Sequence, residues 1–221
     1  MRNPFWIALL ALGFGAVAPA QAVHFPFFIF ENDDQVDLSG CDLWVDVLDA
    51  GNGSIDFVFG NSSSADFGGV ITNIYFEQTD LLALSPALKG NGASVRFHPG
   101  ARPNTPPGST GAAGGAWLGT LYSASAIAPS PSHGIHPGEF LTVRFDLASR
   151  GTFGDVLTEL TKPGGFRLAE HIQSVGAEDT SSLWGRNSQT PVPEPATALL
   201  LVAGLALGAG YRRLRRRHSS P

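Results

Sequence analysis

Residues 41–59 read CDLWVDVLDAGNGSIDFVF, two alternating runs on either side of a Gly-Asn-Gly step. In the first run Cys41, Leu43, Val45 and Val47 share one face, and Asp42, Trp44 and Asp46 share the other. In the second, Ile55, Phe57 and Phe59 fall together. A period of two is the mark of a strand with one buried side. Gly51, Asn52 and Gly53 all accept positive φ, so the pair reads as a hairpin. The same pattern recurs outward along the chain. Val70 to Phe76 and Phe140 to Leu147 are strands, the latter with Leu141, Val143, Phe145 and Leu147 inward. Ser94 to Phe97 is a weaker strand, and Phe166 to Ile172 another. Phe153, Val156, Leu157 and Leu160 are spaced for one helix over Thr152 to Thr161, ended by Pro163-Gly164-Gly165. Leu81 to Leu84 suggests a short turn. Residues 99–115 and 124–138, rich in Pro, Gly, Ser and Ala, read as loops. Trp117, Tyr122 and Trp184 fall outside the predicted strands. The expected fold is all-β, an antiparallel β-sandwich (jelly-roll-like or Ig-like) with one short helix.

Composition narrows the class. Charged residues make up 15% and hydrophobic ones 43%, which excludes a solvated, disordered chain. Gly 27 and Pro 16 favour turns over long helices. The single cysteine, Cys41, leaves no internal disulfide framework and no multi-cysteine metal site. No basic footprint for nucleic acid exists outside the C-terminal arginines.

The two ends differ from the middle. Residues 1–22 read as a secretory signal peptide: Arg2, an apolar run from Phe5 to Ala18, and the A-x-A cleavage site Ala20-Gln21-Ala22. An uncleaved N-terminal anchor is the alternative. At the far end Pro191-Val192-Pro193-Glu194-Pro195 precedes an apolar run, Ala196 to Tyr211, and then Arg212, Arg213, Arg215, Arg216 and Arg217. Sixteen helical residues span about 24 Å, short of a hydrocarbon core of about 30 Å, and snorkelling side chains extend the reach. The arginines form a cytoplasmic anchor by the positive-inside rule, which places the rest of the chain outside the cytoplasm. The organisation is therefore a signal peptide at 1–22, an exported β domain at 23–175, a linker at 176–190 and a C-terminal signal at 191–221 that contains a transmembrane helix. Residues 23–190 hold 18 acidic against 8 basic residues, a formal charge near −10 that the basic tail hides in the whole-chain value of −5.

Val192-Pro193-Glu194-Pro195, the short apolar helix and the arginine cluster, in that order, resemble a PEP-CTERM sorting signal. The likeness covers residues 191–217. It implies export across the inner membrane of a Gram-negative cell. There an exosortase, a membrane-embedded cysteine protease, would recognise Pro193-Glu194-Pro195 and remove the tail. It also implies a link to exopolysaccharide, biofilm and floc formation. A plain anchor that stays attached is the alternative. The order of elements over residues 40–175 resembles, more diffusely, a β-rich domain that often precedes such a tail. That likeness implies a fold and no chemistry.

Candidate chemistry in the β domain is sparse. His133 and His136, with His98, could bind a metal, but their spacing fits no zinc motif. Glu31, Asp33, Asp34 and Asp37, or Asp46, Asp49 and Asp56, could hold calcium, yet residues 49–54 fail the EF-hand pattern. Neither set carries a cofactor assignment, and none is expected. No G-x-S-x-G or H-E-x-x-H occurs, and Cys41 reads as a small packed residue. The chain is not expected to be an enzyme. Trp44, Trp117, Tyr122 and Trp184 could stack on sugars or could simply pack. The expected function is an envelope or matrix protein that is sorted by an exosortase. A carbohydrate-binding module is the alternative and a glycan-active enzyme the third. The expected location is an inner-membrane intermediate, then the cell surface or extracellular matrix.

Overall fold

The computed structural model describes residues 22–32, 34–84, 86–92, 94–106, 116–149, 151–175 and 181–191. The strands are β1 (Ala22–Glu31), β2 (Leu43–Gly51), β3 (Ser54–Asn61), β4 (Val70–Glu77), β5 (Ala87–Gly90), β6 (Phe97–Pro99), β7 (Thr120–Ala126), β8 (Phe140–Asp146), β9 (Leu168–Val175) and β10 (Ser181–Asn187). Two helices, α1 (Ser130–His133) and α2 (Phe153–Thr161), accompany them. Every strand pairing is antiparallel, and the strands form one sheet in the order β5-β8-β3-β2-β1-β10-β9-β4-β7-β6. The sheet curls until it is nearly closed like a barrel, with its terminal strands β5 and β6 in contact.

β1 is the hinge of this arrangement. Ala22 to Pro26 pairs with β2, whereas Phe27 to Glu31 pairs with β10. Pro26 has no N–H to give a ladder, and it stands where β1 changes partner. The two halves of the sheet face each other across one core. Val45, Val47, Ile55, Phe57, Phe59, Leu141, Val143 and Phe145 come from one half, and Ile71, Ile74, Phe76, Leu168, Ile172 and Leu183 from the other; all are buried. Phe76 locks the halves together by edge contacts with Phe57 at 5.0 Å and Phe145 at 4.8 Å. Such ring pairs contribute about 0.5–1.5 kcal/mol beyond area burial.

The hairpin at 51–53 forms as expected, with φ of 74°, 54° and 76° at Gly51, Asn52 and Gly53. The helix over 152–161 also forms. Thr152 and Asp155 make a reciprocal capping box at its start, and Val156 and Leu160 are buried in the core. Other expectations need correction. The weak strand at 94–97 shifts to β5 and to β6. The loop at 124–138 begins inside β7, so Tyr122 is a strand residue and packs on Phe145 at 5.7 Å. Leu82 makes an isolated bridge with Leu147 instead of a turn. Residues 181–187, assigned to a linker, form β10 between β1 and β9, and Trp184 lies in it. The domain thus runs past residue 175. Its first strand begins at Ala22, the last residue of the expected cleavage site.

Residues 1–21 of the signal peptide, Ala20 included, lie outside the described residues. So do Val192 to Pro195, the span Ala196 to Tyr211 and the arginines from Arg212 to Arg217. Among the described residues no helix is long and apolar enough to cross a membrane.

Cys41 precedes β2 and packs against the core, half-buried. Burial pushes its thiol up to about 12, because a thiolate loses hydration there. Native Cys41 should therefore react with a disulfide reagent at least about 100-fold more slowly than in denaturant. Stopped-flow thiol labelling measures this, and equal rates would place Cys41 in solvent.

Candidate functional site

The outward faces of β4, β9, β7 and β6 form the floor of a groove of about 620 Å³. The chain after β6 walls one side with Gly100, Ala101, Arg102 and Asn104, and Ala128 and Ser130 close another. Strand alternation explains the floor. On β4 and β9 the inward positions Ile74, Phe76, Leu168 and Ile172 go to the core, so Asn73, Tyr75, Ala169 and His171 must face out. A bulge between Ile71 and Asn73 inserts Thr72 into this row. Bulges re-aim side chains in this way, and Thr72 Oγ1 lies 3.3 Å from His171 Nδ1.

Beneath the floor the aromatic residues are fully engaged. His171 stacks on Trp184 with ring centroids 4.3 Å apart, and Tyr75 meets Trp184 on another side at 5.7 Å. Tyr75 Oη donates to the Pro103 carbonyl at 3.0 Å, and Asn73 Nδ2 donates to the Arg102 carbonyl at 3.3 Å. These bonds tie the wall to the floor. Ala101 N donates to Ser123 Oγ at 3.0 Å, and Ser125 Oγ donates to the Gly100 carbonyl at 3.0 Å. The wall is therefore held at both ends by strands of the sheet. Burial lowers His171 to about 4, so its imidazole is neutral at ordinary pH and can donate or accept.

The charge of the groove is opposite to that of the domain. Among the described residues no Asp or Glu lines it, whereas Arg102 does. Two other arginines of the domain are paired with carboxylates: Arg144 with Asp56, and Arg167 with Glu77. Arg102 has no carboxylate partner among the described residues.

The residues singled out from sequence are placed elsewhere or used otherwise. Among the described residues no three His, Cys, Asp or Glu side chains gather as for a metal. His133 Nδ1 lies 3.0 Å from the Ile127 carbonyl oxygen, and His98 alone of the three histidines lines the groove. Asp46 binds His24 at 2.6 Å, Asp56 holds Arg144, and Asp49 accepts from Gly51 N at 2.9 Å to cap the hairpin. Trp44 lies over Gly60, where a Cβ would meet its ring at 2.1 Å, and its Nε1 donates to Ser62 Oγ at 2.8 Å. Trp117 faces the Arg167 guanidinium at 5.4 Å. Trp184 is 6% exposed. Each of these rings already has a packing or hydrogen-bond partner, and Trp44 and Trp117 are half-buried. Sequence reasoning missed Asn73, Arg102, Asn104, His171 and Gln173 as a group. The one local cue was Thr72-Asn73, two polar residues inside an otherwise apolar strand.

Comparison with protein-family models, with curated proteins and with solved structures finds no match to this chain.

Proposed function

We propose that this chain is an exported protein of the cell envelope or extracellular matrix, sorted through its C-terminal signal and associated with exopolysaccharide or biofilm. An exosortase is its processing partner, and the inner membrane holds it only until the tail is removed. The observation that carries this reading is the order Pro193-Glu194-Pro195, apolar run, arginine cluster at the end of the chain. The β domain supports it. β10 ends at Asn187, and Ser188 N still donates to the Pro26 carbonyl at 2.7 Å. The sorting motif thus begins within a few residues of a folded sheet. Proline disfavours helix in the residue before it, and a protease cleft takes extended chain. In this reading the nearly closed sheet is a sandwich, jelly-roll-like or Ig-like, and its facing halves favour that description.

A second reading makes the β domain a carbohydrate-binding module. The acid-free polar groove favours it, and the tryptophans do not. The third, a glycan-active enzyme, needs two carboxylates at a scissile bond, and the groove offers none.

The test is Glu194→Ala in the native host, read by intact mass of the mature protein. Wild-type protein should lack Tyr211 to Pro221, and the variant should be exported yet keep them. Deleting Arg212 to Arg217 should instead weaken retention in the membrane before cleavage. Retention of the tail to the same extent in wild type and Glu194→Ala would make the segment an ordinary anchor.

A further inference from the structure

The groove has three properties that together define a ligand. Its floor and walls present neutral hydrogen-bonding side chains from separate elements: Asn73 on β4, His171 and Gln173 on β9, Ser125 on β7 and Asn104 on the wall. Its one full cation is exposed Arg102, with no carboxylate opposite it among the described residues. Its described lining residues include no acid, although the domain as a whole carries more than two acids for each base. A cationic ligand would find nothing to pair with. An apolar ligand would strand the amides and hydroxyls. A ligand with hydroxyls alone would leave the guanidinium unused.

We propose that this groove binds a carboxylated polyol, a uronic acid residue or a short chain of them, with Arg102 taking the carboxylate. Guanidinium meets carboxylate through two parallel N–H···O bonds, which fix the orientation of the sugar as well as hold it. Asn104 and Gln173 supply donors and acceptors for ring hydroxyls, Ser125, whose proton goes to the Gly100 carbonyl, can add an acceptor, and neutral His171 adds one group more. Trp184 acts through His171, since its ring is covered. The wall needs little rearrangement on binding, because Asn73, Tyr75, Ser123 and Ser125 already hold it to the sheet. A preformed wall leaves less ordering cost to set against affinity. The groove's volume of about 620 Å³ lies within the range for ligand sites, about 300–1,000 Å³. This proposal rests on the binding-module reading and narrows it to one class of ligand.

Calorimetric titration of the full chain in mild detergent tests it. The probes are glucuronate, oligogalacturonates of four to six units, neutral cello-oligosaccharides and polyglutamate. Oligogalacturonates should bind, and polyglutamate, which has the charge without the hydroxyls, should not. Arg102→Gln should weaken the uronide by about tenfold or more with an unchanged far-ultraviolet spectrum. Arg144→Gln, on the other half of the sheet, should leave binding as in wild type. Glucuronate binding as tightly as the oligomers would identify a single-residue site, and weaker glucuronate binding a site for a chain; both agree with the proposal. Equal binding of neutral oligosaccharides, or an Arg102→Gln variant that binds uronides like wild type, would overturn the proposal and leave the binding-module reading standing. No binding to any sugar would overturn both.

Discussion

Replacing Arg167 with Met should cost about 3–5 kcal/mol of folding stability, because it strands a buried carboxylate. Glu77 is 1% exposed and Arg167 5%. Arg167 Nε donates to Glu77 Oε2 at 2.7 Å, and the Arg167 backbone N–H donates to the same oxygen at 3.0 Å. Leu118 N donates to Glu77 Oε1 at 2.7 Å. The guanidinium also reaches the Ala116 carbonyl at 2.7 Å and lies over Trp117. One ion pair thus joins the end of β4, the start of β9 and the segment that leads into β7. Taking both charges out of water is expensive, and only the complete set of partners offsets it. Losing one partner removes that compensation and leaves the cost. The double change Glu77→Met with Arg167→Met should be less damaging than Arg167→Met alone, since no charge remains buried. Urea unfolding of the mature protein measures both, with Arg167→Lys as a milder variant should Met prevent folding. A loss under about 1 kcal/mol for Arg167→Met would mean that water reaches the pair.

The sequence announced the strands that have one buried face. β2, β3 and β8 alternate because one side meets the core and the other meets solvent. β1 and β10 do not alternate: β1 is apolar on both faces, with Phe25, Phe27 and Ile29 toward the core and Phe28 37% exposed outside, and β10 carries only Leu183 and Trp184 as large apolar residues. β1 therefore reads as an unbroken apolar run and β10 as a polar stretch, and periodicity alone names neither. β7 failed for a different reason. Its Ser123-Ala124-Ser125-Ala126 stretch is small-residue sequence that resembles a loop, and it is a strand because β4 and β6 pair with it. The groove was illegible on principle. Asn73, Arg102, Ser125 and His171 are far apart in the chain, and only the β7-β4-β9 pairing and the fold-back after β6 bring them together. The motif at Pro193-Glu194-Pro195 is the reverse case, a local signal read without any fold.

Glu170→Gln should change how stability depends on pH more than it changes stability at any one pH. Glu170 is fully buried, and neither of its carboxylate oxygens has a hydrogen-bond partner among the described residues. It sits on the inward side of β9, between Leu168 and Ile172, opposite Ile74 of β4 and Gly185 of β10. Gly185 makes room for it: a Cβ there would come within 3.3 Å of both Glu170 Cγ and Oε1. Burial raises the Glu170 carboxyl well above its ordinary value, because a bare carboxylate in this core has no compensation. The folded protein therefore holds a proton that the unfolded chain releases above about pH 4.5. The unfolded state then binds fewer protons, so stability falls as pH rises from there toward the folded-state value. The slope is about 1.4 kcal/mol per pH unit for one proton. His171 contributes with the opposite sign. Its folded-state value is lowered to about 4, so its share of the stability is lost as pH falls from about 6.5 toward 4. That share is common to wild type and Glu170→Gln, and it cancels in their difference. Gln is neutral and of nearly the same shape, so the variant should gain on wild type steadily between pH 5 and pH 7. Urea unfolding of both proteins at four pH values in that window gives the difference. A constant difference across the window would mean that Glu170 is already ionised in the folded state, and the core around Gly185 would then have to contain a partner for it.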